Sequence, residues 1–318
     1  MNKKSIALLS VAIGSSFLLT GYSEKSNAEE AYPDRPVKVI VAYGAGGSND
    51  LTSRVLMKEV GEILNQPFNV ENIAGASGTI GSTVAASAKP DGYTIFFAPT
   101  DPIAVQPNLR SVEYSLDDFK GIAGVSYDAS VLAVRSDSSW ETLDDLLEEE
   151  NTDTVINRGH SGVGGVAQIF LESFFDQTDL ETRDIPFDGG AAAITALLGG
   201  HVDAIGGTAG AMVPYINSGE IRVLAAAADE RLDHLPDVPT FKEKGYDISL
   251  GVEFFVLAPS DVPDDIITTL ESAVMEAANS EEFKTFVDER GQQLIVRDGE
   301  EIMAKNRRDY ELFNQLIN

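Results

Sequence analysis

Residues 39–64, VIVAYGAGGSNDLTSRVLMKEVGEIL, decide the fold, because an apolar strand there passes through a glycine cluster into an amphipathic helix. Glycine permits close backbone approach at such a turn. The N–H groups that open the helix have no intrahelical acceptor, and the positive end of the helix dipole lies behind them. The junction therefore predicts a site for a carboxylate or phosphate that requires no basic side chain.

The same succession of strand, glycine loop and helix recurs along the chain. Residues 152–175 and 182–200 repeat it in the second half, and residues 68–81 form a strand followed by a glycine-rich loop. Repeated units of this kind predict parallel strands whose loops collect at one edge of a sheet, where α/β folds bind ligands. Glycine loops in both halves favour a binding site over plain tight turns.

Further strands complete two similar α/β lobes. Short apolar, β-branched runs predict them at residues 37–43, 89–100, 130–137, 202–207, 221–228 and 253–259. A helix is predicted over residues 140–150, capped by Thr142 or Ser139, and two more helices in the C-terminal tail. The sequence between the halves is not of low complexity, so we expect crossing strands near residues 132–135 and 222–226 to join the lobes and to act as the hinge.

Composition excludes several classes of partner and site. Lys and Arg total 23 against 51 Asp and Glu, for a formal net charge of −28, whereas binding to nucleic acid needs a basic face. The chain has no cysteine, and its three histidines are not spaced as a metal-ligand pair, so we expect no metal site and no cofactor. Surface charge is screened over about 8–10 Å at physiological salt, so an acidic exterior does not prevent backbone amides from holding an anion.

The N-terminus predicts export. Two lysines precede an apolar run over residues 5–20, which is the pattern of a signal peptide. Residues 18–22 resemble a lipoprotein cleavage box in which Tyr22 replaces the lipid-accepting cysteine. We expect residues 1–28 to be removed as a signal peptide and the mature chain to be extracytoplasmic, in the periplasm or at the cell surface, without a lipid at Tyr22.

Catalytic motifs are incomplete. Residues 162–167, GVGGVA, satisfy the dinucleotide pattern G-x-G-x-x-A, but the preceding strand is short and half polar, and a lone match is weak. A P-loop would need Lys where Gly165 stands, and the hydrolase motif G-x-S-x-G fails at Ser161 and Ser77. We therefore expect a protein that is not an enzyme; the alternative left open is an α/β enzyme that binds a nucleotide cofactor through residues 162–167.

Taken together, the motifs resemble one family. In order between residues 32 and 263, the chain contains the stretches YPDRPVKVIVAYGAGGSNDLTSR, VENIAGASGTIG, AKPDGYTI, GVGGVAQIFLESF, IPFDGGAAAITALLGGHVDA, GEIRVLAAAADERLDHLPDVPTFKEKGYD and FFVLAPSDVP. In this order they resemble the extracytoplasmic solute-binding receptors of tripartite tricarboxylate transporters, the Bug family.

The resemblance implies a two-lobed Venus-flytrap fold of periplasmic-binding-protein type II, an α/β fold in which each lobe is a mixed sheet flanked by helices. Lobe 1 would comprise residues 31–128 plus 229–318, and lobe 2 residues 129–228. The implied ligand is a small carboxylate: a di- or tricarboxylate, an amino-acid-like acid or an aromatic acid. A monomer would capture it by lobe closure and deliver it to membrane permease subunits; a ligand sensor with the same fold is the remaining alternative.

In the family, the loop after the first strand and the facing loops of the second lobe hold the ligand, largely through backbone groups, hydroxyls and water. Carried onto this sequence, the ligand-binding positions are Tyr43, Gly44, Ala45, Gly46, Gly47, Ser48, Thr79, Thr100, Asp101, Ser161, Gly162, Val163, Gly164, Phe187, Asp188 and Gly189.

Three features depart from the family pattern. The loop after the first strand lacks the prolines common there, Val166 stands in place of the usual histidine, and Asp188 in place of a common lysine. Asp188 either accepts an amino group of the ligand or caps the following helix. The nearest fixed positive charges in the sequence are Arg158 and Arg183, and we expect both to face solvent.

Overall fold

The computed structural model describes residues 32–317, so the predicted signal peptide and its cleavage site lie outside the described residues. Ten strands and ten helices follow one another within that range. The strands are β1 (Val37–Val41), β2 (Phe68–Asn72), β3 (Thr94–Pro99), β4 (Phe119–Arg135), β5 (Ile156–His160), β6 (Thr182–Pro186), β7 (Ala204–Thr208), β8 (Ile221–Ala227), β9 (Gly251–Pro259) and β10 (Gln293–Asp298). The helices are α1 (Ser48–Ile63), α2 (Thr79–Ala86), α3 (Gln106–Leu109), α4 (Leu143–Leu147), α5 (Val166–Phe175), α6 (Gly190–Leu198), α7 (Ala209–Asn217), α8 (Asp264–Ala278), α9 (Glu281–Glu289) and α10 (Gly299–Ile317).

Lobe 1 is built on a mixed sheet in the order β2-β1-β3-β9-β4, with β10 also paired to β4. β1 is parallel to β2 and to β3, as the repeated strand–loop–helix units predict. β9 runs antiparallel to β3 and β4. The strand predicted over residues 68–72 is confirmed as β2, whereas the one predicted over 37–43 ends at Val41.

Lobe 2 repeats this arrangement in the order β4-β7-β5-β6, with β8 on β4. β5 lies parallel to β6 and β7, and β4 is antiparallel to β7 and β8. Because parallel strands end at the same edge of a sheet, the loops after β5, β6 and β7 gather there, and α5, α6 and α7 begin directly after these loops.

One long strand joins the lobes. β4 has 17 residues and changes partners in its middle, since Ala129 pairs with Gly251 of β9 whereas Ser130 pairs with β7 and β8. The sequence predicted only the second half, over residues 130–137. Two glycines interrupt the apolar pattern of the first half, and the ladder with β9 shifts register beside both of them.

Side chains that alternate along the lobe 1 strands fill two separate cores. Val39 and Phe97 pack in the core that includes residues of α1 and α8. Their neighbours Ile40 and Phe96 pack in the other core. Successive strand residues point to opposite faces of a sheet, so both faces are covered, and this is why the parallel strands read as continuous apolar runs.

An aromatic cluster packs one face of lobe 2. Phe241 lies against Phe170 and Phe174 of α5, with ring centroids 5.3 and 4.9 Å apart, and Tyr246 lies 4.9 Å from Phe174. Phe241 and Tyr246 come from the segment after β8 that the resemblance assigns to lobe 1. Because both pack in the lobe 2 core, we propose that lobe 2 extends to Leu250 and that lobe 1 resumes at β9.

Two local predictions need correction. The C-terminal tail holds three helices rather than two, together with an additional strand, β10, paired antiparallel with β4. That strand was missed because its residues are exposed or half-buried and polar ones flank its short apolar run. The helix predicted over residues 140–150 is shortened to α4. Its predicted cap at Thr142 is confirmed, since the Thr142 hydroxyl accepts the Asp145 N–H at 3.2 Å.

Candidate functional site

A cavity of about 80 Å³ lies between the two lobes. It forms where the loops at the carboxyl ends of parallel strands from both lobes meet, the usual ligand position in such folds. Its lining residues are Tyr43, Gly44, Gly47, Ser48, Asn49, Pro99, Asp101, Ser130, Ser161, Ala167, Gly190, Ala193, Ile194, Ile205, Gly206, Gly207, Thr208, Ala211, Met212, Val252 and Phe254.

The cavity wall carries no cationic side chain: among the described residues that line it, none is Lys, Arg or His. An anion here would be bound by backbone N–H groups, hydroxyls and amides. Residues 32–317 also contain no group of three or more His, Asp or Glu side chains placed to hold a metal ion.

Four helices begin at this cavity. Asn49 of α1, Ala167 of α5, Gly190 of α6 and Ala211 of α7 all lie in first turns and all line it. The first-turn N–H groups of a helix lack intrahelical acceptors and carry the positive end of the helix dipole. The cavity is therefore surrounded by backbone donors.

Two of these four helix starts are occupied by carboxylates of the chain itself. Oδ1 of Asp101 accepts the N–H of Val166, the first residue of α5, at 2.6 Å. Oδ1 of Asp128 accepts the N–H of Gly210 in α7 at 2.9 Å. At the starts of α1 and α6, one from each lobe, no side chain of the described residues accepts a first-turn N–H, so these two starts are the most open to a ligand.

Burial controls the charge of both internal carboxylates. Desolvation raises the pKa of Asp101 to about 6, against the opposing effect of the Val166 N–H bond. Desolvation likewise raises the pKa of Asp128 to about 6, although Ser48 donates its hydroxyl to Asp128 Oδ2 at 2.6 Å. Both groups are therefore ionised at neutral pH and become protonated in mild acid.

The loop before α1 is fixed by a third carboxylate. Asp50 accepts the N–H of Gly46 at 2.9 Å and the amide of Asn72 at 2.9 Å, and it pairs with Arg54 at 2.8 Å. Burial acts to raise the pKa of Asp50, but the hydrogen bonds from Arg54, Gly46 and Asn72 outweigh it and hold that pKa below its ordinary value. Gly46 adopts φ +87° in this turn, a conformation that glycine accepts without strain.

The loops that open α1 and α6 lie close together beside the cavity. A Cβ built on Gly44 would lie 3.8 Å from the Asp188 carbonyl oxygen, and one built on Gly189 would lie 3.8 Å from the Tyr43 ring. The two lobes thus bring the starts of α1 and α6 to one cavity.

Two buried polar side chains at the cavity have no partner in the protein. Both atoms of the Asn49 amide and the Ser130 hydroxyl lack hydrogen bonds, although Asn49 is 6% exposed and Ser130 0%. Buried polar groups are normally paired, so these atoms point to a ligand. Neither residue was predicted from the sequence. The sequence feature that could have indicated Asn49 is its place in the first turn of a helix whose N-cap is Gly47. Because Gly47 is the N-cap, the Asn49 side-chain amide does not cap the helix.

The lobes contact each other beside the cavity. The Val163 carbonyl of lobe 2 accepts hydrogen bonds from Ser77 at 2.8 Å, Gln106 at 3.2 Å and Arg110 at 3.3 Å, all from lobe 1. Gln106 also donates to the Gly164 carbonyl at 2.6 Å. The structure therefore shows the two lobes brought together.

The expectation that Arg158 faces solvent is wrong. It is 7% exposed, and its Nε lies 2.6 Å from Asp184 Oδ1. Beside this ion pair, burial lowers the pKa of His160, so its imidazole is neutral, and Nδ1–H donates to the Gly162 carbonyl at 2.9 Å. Through this hydrogen bond, His160 holds the Ser161–Gly162 turn in place. Arg183 is exposed, as expected.

The predicted site residues fall into three groups. Those that line the cavity are Tyr43, Gly44, Gly47, Ser48, Asp101 and Ser161. Those that line the cleft mouth, a pocket of about 540 Å³, and not the cavity are Gly162, Val163, Phe187, Asp188 and Gly189. Those that line neither are Ala45, Gly46, Thr79, Thr100 and Gly164.

Hydrogen bonds within the protein occupy the hydroxyls of Thr100 and Thr79, two of the predicted residues that line neither pocket. They also show that Asp188 is not a helix cap. The Thr100 hydroxyl accepts the N–H of Glu253 at 3.0 Å, and the Thr79 hydroxyl donates to the Ala76 carbonyl at 3.0 Å. Asp188 is exposed at the mouth. It does not cap α6, because the N-cap there is Gly189 and no side chain bonds to that helix start.

Two lobes that meet over such a cavity are the architecture of periplasmic solute-binding proteins. Residues 52–313 match the family described as "Tripartite tricarboxylate transporter family receptor". The chain belongs to this family, and the resemblance drawn from its sequence motifs is confirmed.

Relatives and solved structures agree with this assignment. BugT of Bordetella pertussis is 32% identical over 269 residues, which cover 83% of this chain and 82% of BugT. A structure described as a periplasmic transporter has a TM-score of 0.87 at 30% identity, covering 90% of this chain and 97% of its own. MatC of Rhodopseudomonas palustris, solved with bound malate, has a TM-score of 0.85 at 26% identity, with coverage of 90% and 100%. The expected fold class is confirmed.

Proposed function

We propose that this protein captures a small carboxylate between its lobes and delivers it to the membrane subunits of a tripartite transporter. The observation that carries the proposal is that two helix starts, α1 in lobe 1 and α6 in lobe 2, line one cavity whose described lining residues include no cationic side chain. A carboxylate between them can accept N–H groups from both lobes at once. The malate bound by MatC supports a small acid as the ligand.

Capture would proceed by lobe closure. Only contacts that the ligand makes in the closed state and lacks in the open state can drive such a change, and a carboxylate bridging α1 and α6 makes contacts of that kind. We place the hinge where β4 exchanges lobe 1 partners for lobe 2 partners, at Ala129 and Ser130, and where the chain returns at Leu250. Ala129 and Ser130 lie three and two residues before Leu132, where the first hinge segment predicted from sequence begins, and that segment is paired within lobe 2.

The nucleotide-cofactor enzyme is the less favoured candidate. In its motif, the first N–H of α5 is taken by Asp101, and a Cβ on Gly164 would lie 2.0 Å from the Leu109 side chain. A diphosphate at that turn would need both the donor and the space. These contacts disfavour a bound dinucleotide at this turn.

The protein would work outside the cytoplasm, as its predicted export signal and the periplasmic transporter it resembles indicate. None of the helices in the described residues combines the length and the apolar run needed to cross a bilayer. The family description, a receptor of a tripartite transporter, supports delivery of the ligand to membrane subunits.

Calorimetry and thermal unfolding of the mature chain with a panel of small carboxylic acids test the proposal. The matched control for each acid is its primary amide, which has a similar shape and no charge. We expect at least one acid to bind and raise Tm while its amide does neither. The proposal fails if no acid is distinguished from its amide, or if the acid is converted to a product.

A further inference from the structure

Two polar side chains of the cavity can bind a second group of the ligand, in addition to its carboxylate. The Asn49 amide supplies one unpartnered donor group and one unpartnered acceptor, and Ser130 supplies an unpartnered hydroxyl. Both line the cavity and both are more than nine-tenths buried. A ligand group that both donates and accepts hydrogen bonds would satisfy them, whereas an aliphatic end would leave them unpaired at a cost.

Charge at the cavity limits what that group can be. Asp101 lines the same cavity and is buried, and its partner is a backbone N–H rather than a cation. No Lys, Arg or His stands among the described lining residues to neutralise a second negative charge on the ligand. A second ligand carboxylate would therefore be desolvated beside a like charge, which is unfavourable, whereas a hydroxyl or an ammonium group would be accepted.

The volume of the cavity also favours a small ligand. The cavity volume of about 80 Å³ corresponds to roughly five to eight water-sized groups at about 10–15 Å³ each. Apolar side chains such as Ile205 and Phe254 form much of the remaining wall. The cavity alone suits a short acid such as lactate or alanine, and an acid as large as citrate would have to extend into the cleft mouth.

We propose that the ligand is a short monocarboxylate bearing a hydroxyl or amino group, read by Asn49, Ser130 and Asp101, and that Asp101 excludes di- and tricarboxylates. This inference rests on the proposed function and narrows its ligand class. It departs from the dicarboxylate held by MatC.

Calorimetry of the mature chain with L-lactate, L-alanine, propionate and L-malate tests the ligand class. We expect lactate or alanine to bind about tenfold or more tightly than both propionate, which lacks the donor, and malate, which adds a carboxylate. The comparison of lactate with alanine identifies the donor as hydroxyl or ammonium. Malate or propionate binding as tightly as the better of the two overturns the inference and leaves the proposed function standing; no binding of any acid in the wider panel defeats both.

Variants test the residues. In Asp101→Asn, which keeps an oxygen for the Val166 N–H, the ratio of malate Kd to lactate or alanine Kd should fall about tenfold. The matched control is Asp261→Asn, an exposed carboxylate that lines neither the cavity nor the cleft mouth, where that ratio should not change. Ser130→Ala and Asn49→Ala should weaken lactate or alanine while leaving propionate unaffected. Because each readout is a ratio within one variant, altered stability does not produce it. An unchanged ratio in Asp101→Asn, or a changed one in Asp261→Asn, contradicts the assignment.

Discussion

The carboxylate of Asp101 in lobe 1 accepts the first backbone N–H of α5, that of Val166 in lobe 2, at 2.6 Å. A helix of one lobe is thus completed by an anion of the other. This bond takes the first N–H of α5 away from a ligand, and it places a carboxylate in the cavity wall. Both consequences shape the account of what the protein binds.

The buried Asp101 should make stability depend on pH. Burial raises the pKa of Asp101 from 3.8 to about 6 in the folded state. The unfolded chain therefore ionises at lower pH than the folded protein, and the free energy of unfolding falls as pH rises from about 4 through about 6. Asp101→Asn does not titrate, so its free energy of unfolding relative to wild type should be higher at pH 8 than at pH 5 by about 1 kcal/mol. Urea unfolding at both pH values measures this. The exposed Asp188→Asn is the control, and a pH-independent difference for Asp101→Asn contradicts the prediction.

Asp128 should matter to stability through its hydrogen bonds. It accepts the Ser48 hydroxyl from lobe 1 and the Gly210 N–H from lobe 2. Asp128→Ala leaves both donors buried and unpaired, so we expect a loss of about 1–3 kcal/mol in the free energy of unfolding. Asp128→Asn retains an acceptor oxygen and should lose less. Chemical denaturation compares the two variants, and equal losses would show that the hydrogen bonds are not what Asp128 contributes.

A methyl group at Gly162 should oppose closure of the lobes. Its φ is +144°, and a Cβ there would lie 2.6 Å from the Ser77 hydroxyl, which itself bonds across the lobes to Val163. Gly162→Ala should therefore weaken ligand binding about tenfold. Gly219→Ala is the control, because Gly219 has φ +75° with open space around it. That variant should lose about 1 kcal/mol of stability and bind normally; similar binding by both variants would count against the closure contact.

The aromatic cluster of lobe 2 should carry much of its stability. Phe174 is fully buried and contacts Phe241 and Tyr246 from the segment before β9. Phe174→Ala should cost about 3–5 kcal/mol, the range for a large cavity in a packed core. Thermal unfolding should also show the 229–250 segment released together with lobe 2, which hydrogen exchange can follow. Exchange protection of that segment that follows lobe 1 instead would contradict the proposed lobe boundary.

The strand–loop–helix units were predictable because their apolar runs and glycine loops are local features of the sequence. β2 matches its prediction residue for residue. β10 and the first half of β4 were not predictable, because neither has a clear alternating pattern. Each is a strand because it pairs with a strand that is distant in sequence, β10 with β4 and β4 with β9. Asp101 was predicted as a ligand contact from the resemblance, but its bond to α5 depends on how the lobes meet.

The site residues that the sequence did not predict are two buried polar side chains that lack hydrogen-bond partners in the protein. Asn49 and Ser130 are ordinary polar residues in a helix start and a strand, and only the folded structure shows that they are buried at a cavity without partners. Arg158 was misplaced for the converse reason, since its partner Asp184 lies on a neighbouring strand, β6. Pairings across a sheet cannot be read from one strand alone.

The most direct test of capture between the lobes is a crystal structure of the mature protein with the acid that binds it most tightly. The account predicts a carboxylate whose oxygens lie about 2.7–3.2 Å from a first-turn N–H of α1 and from one of α6. An acid held through a single lobe, or bound elsewhere while the interlobe cavity stays unfilled, would contradict it.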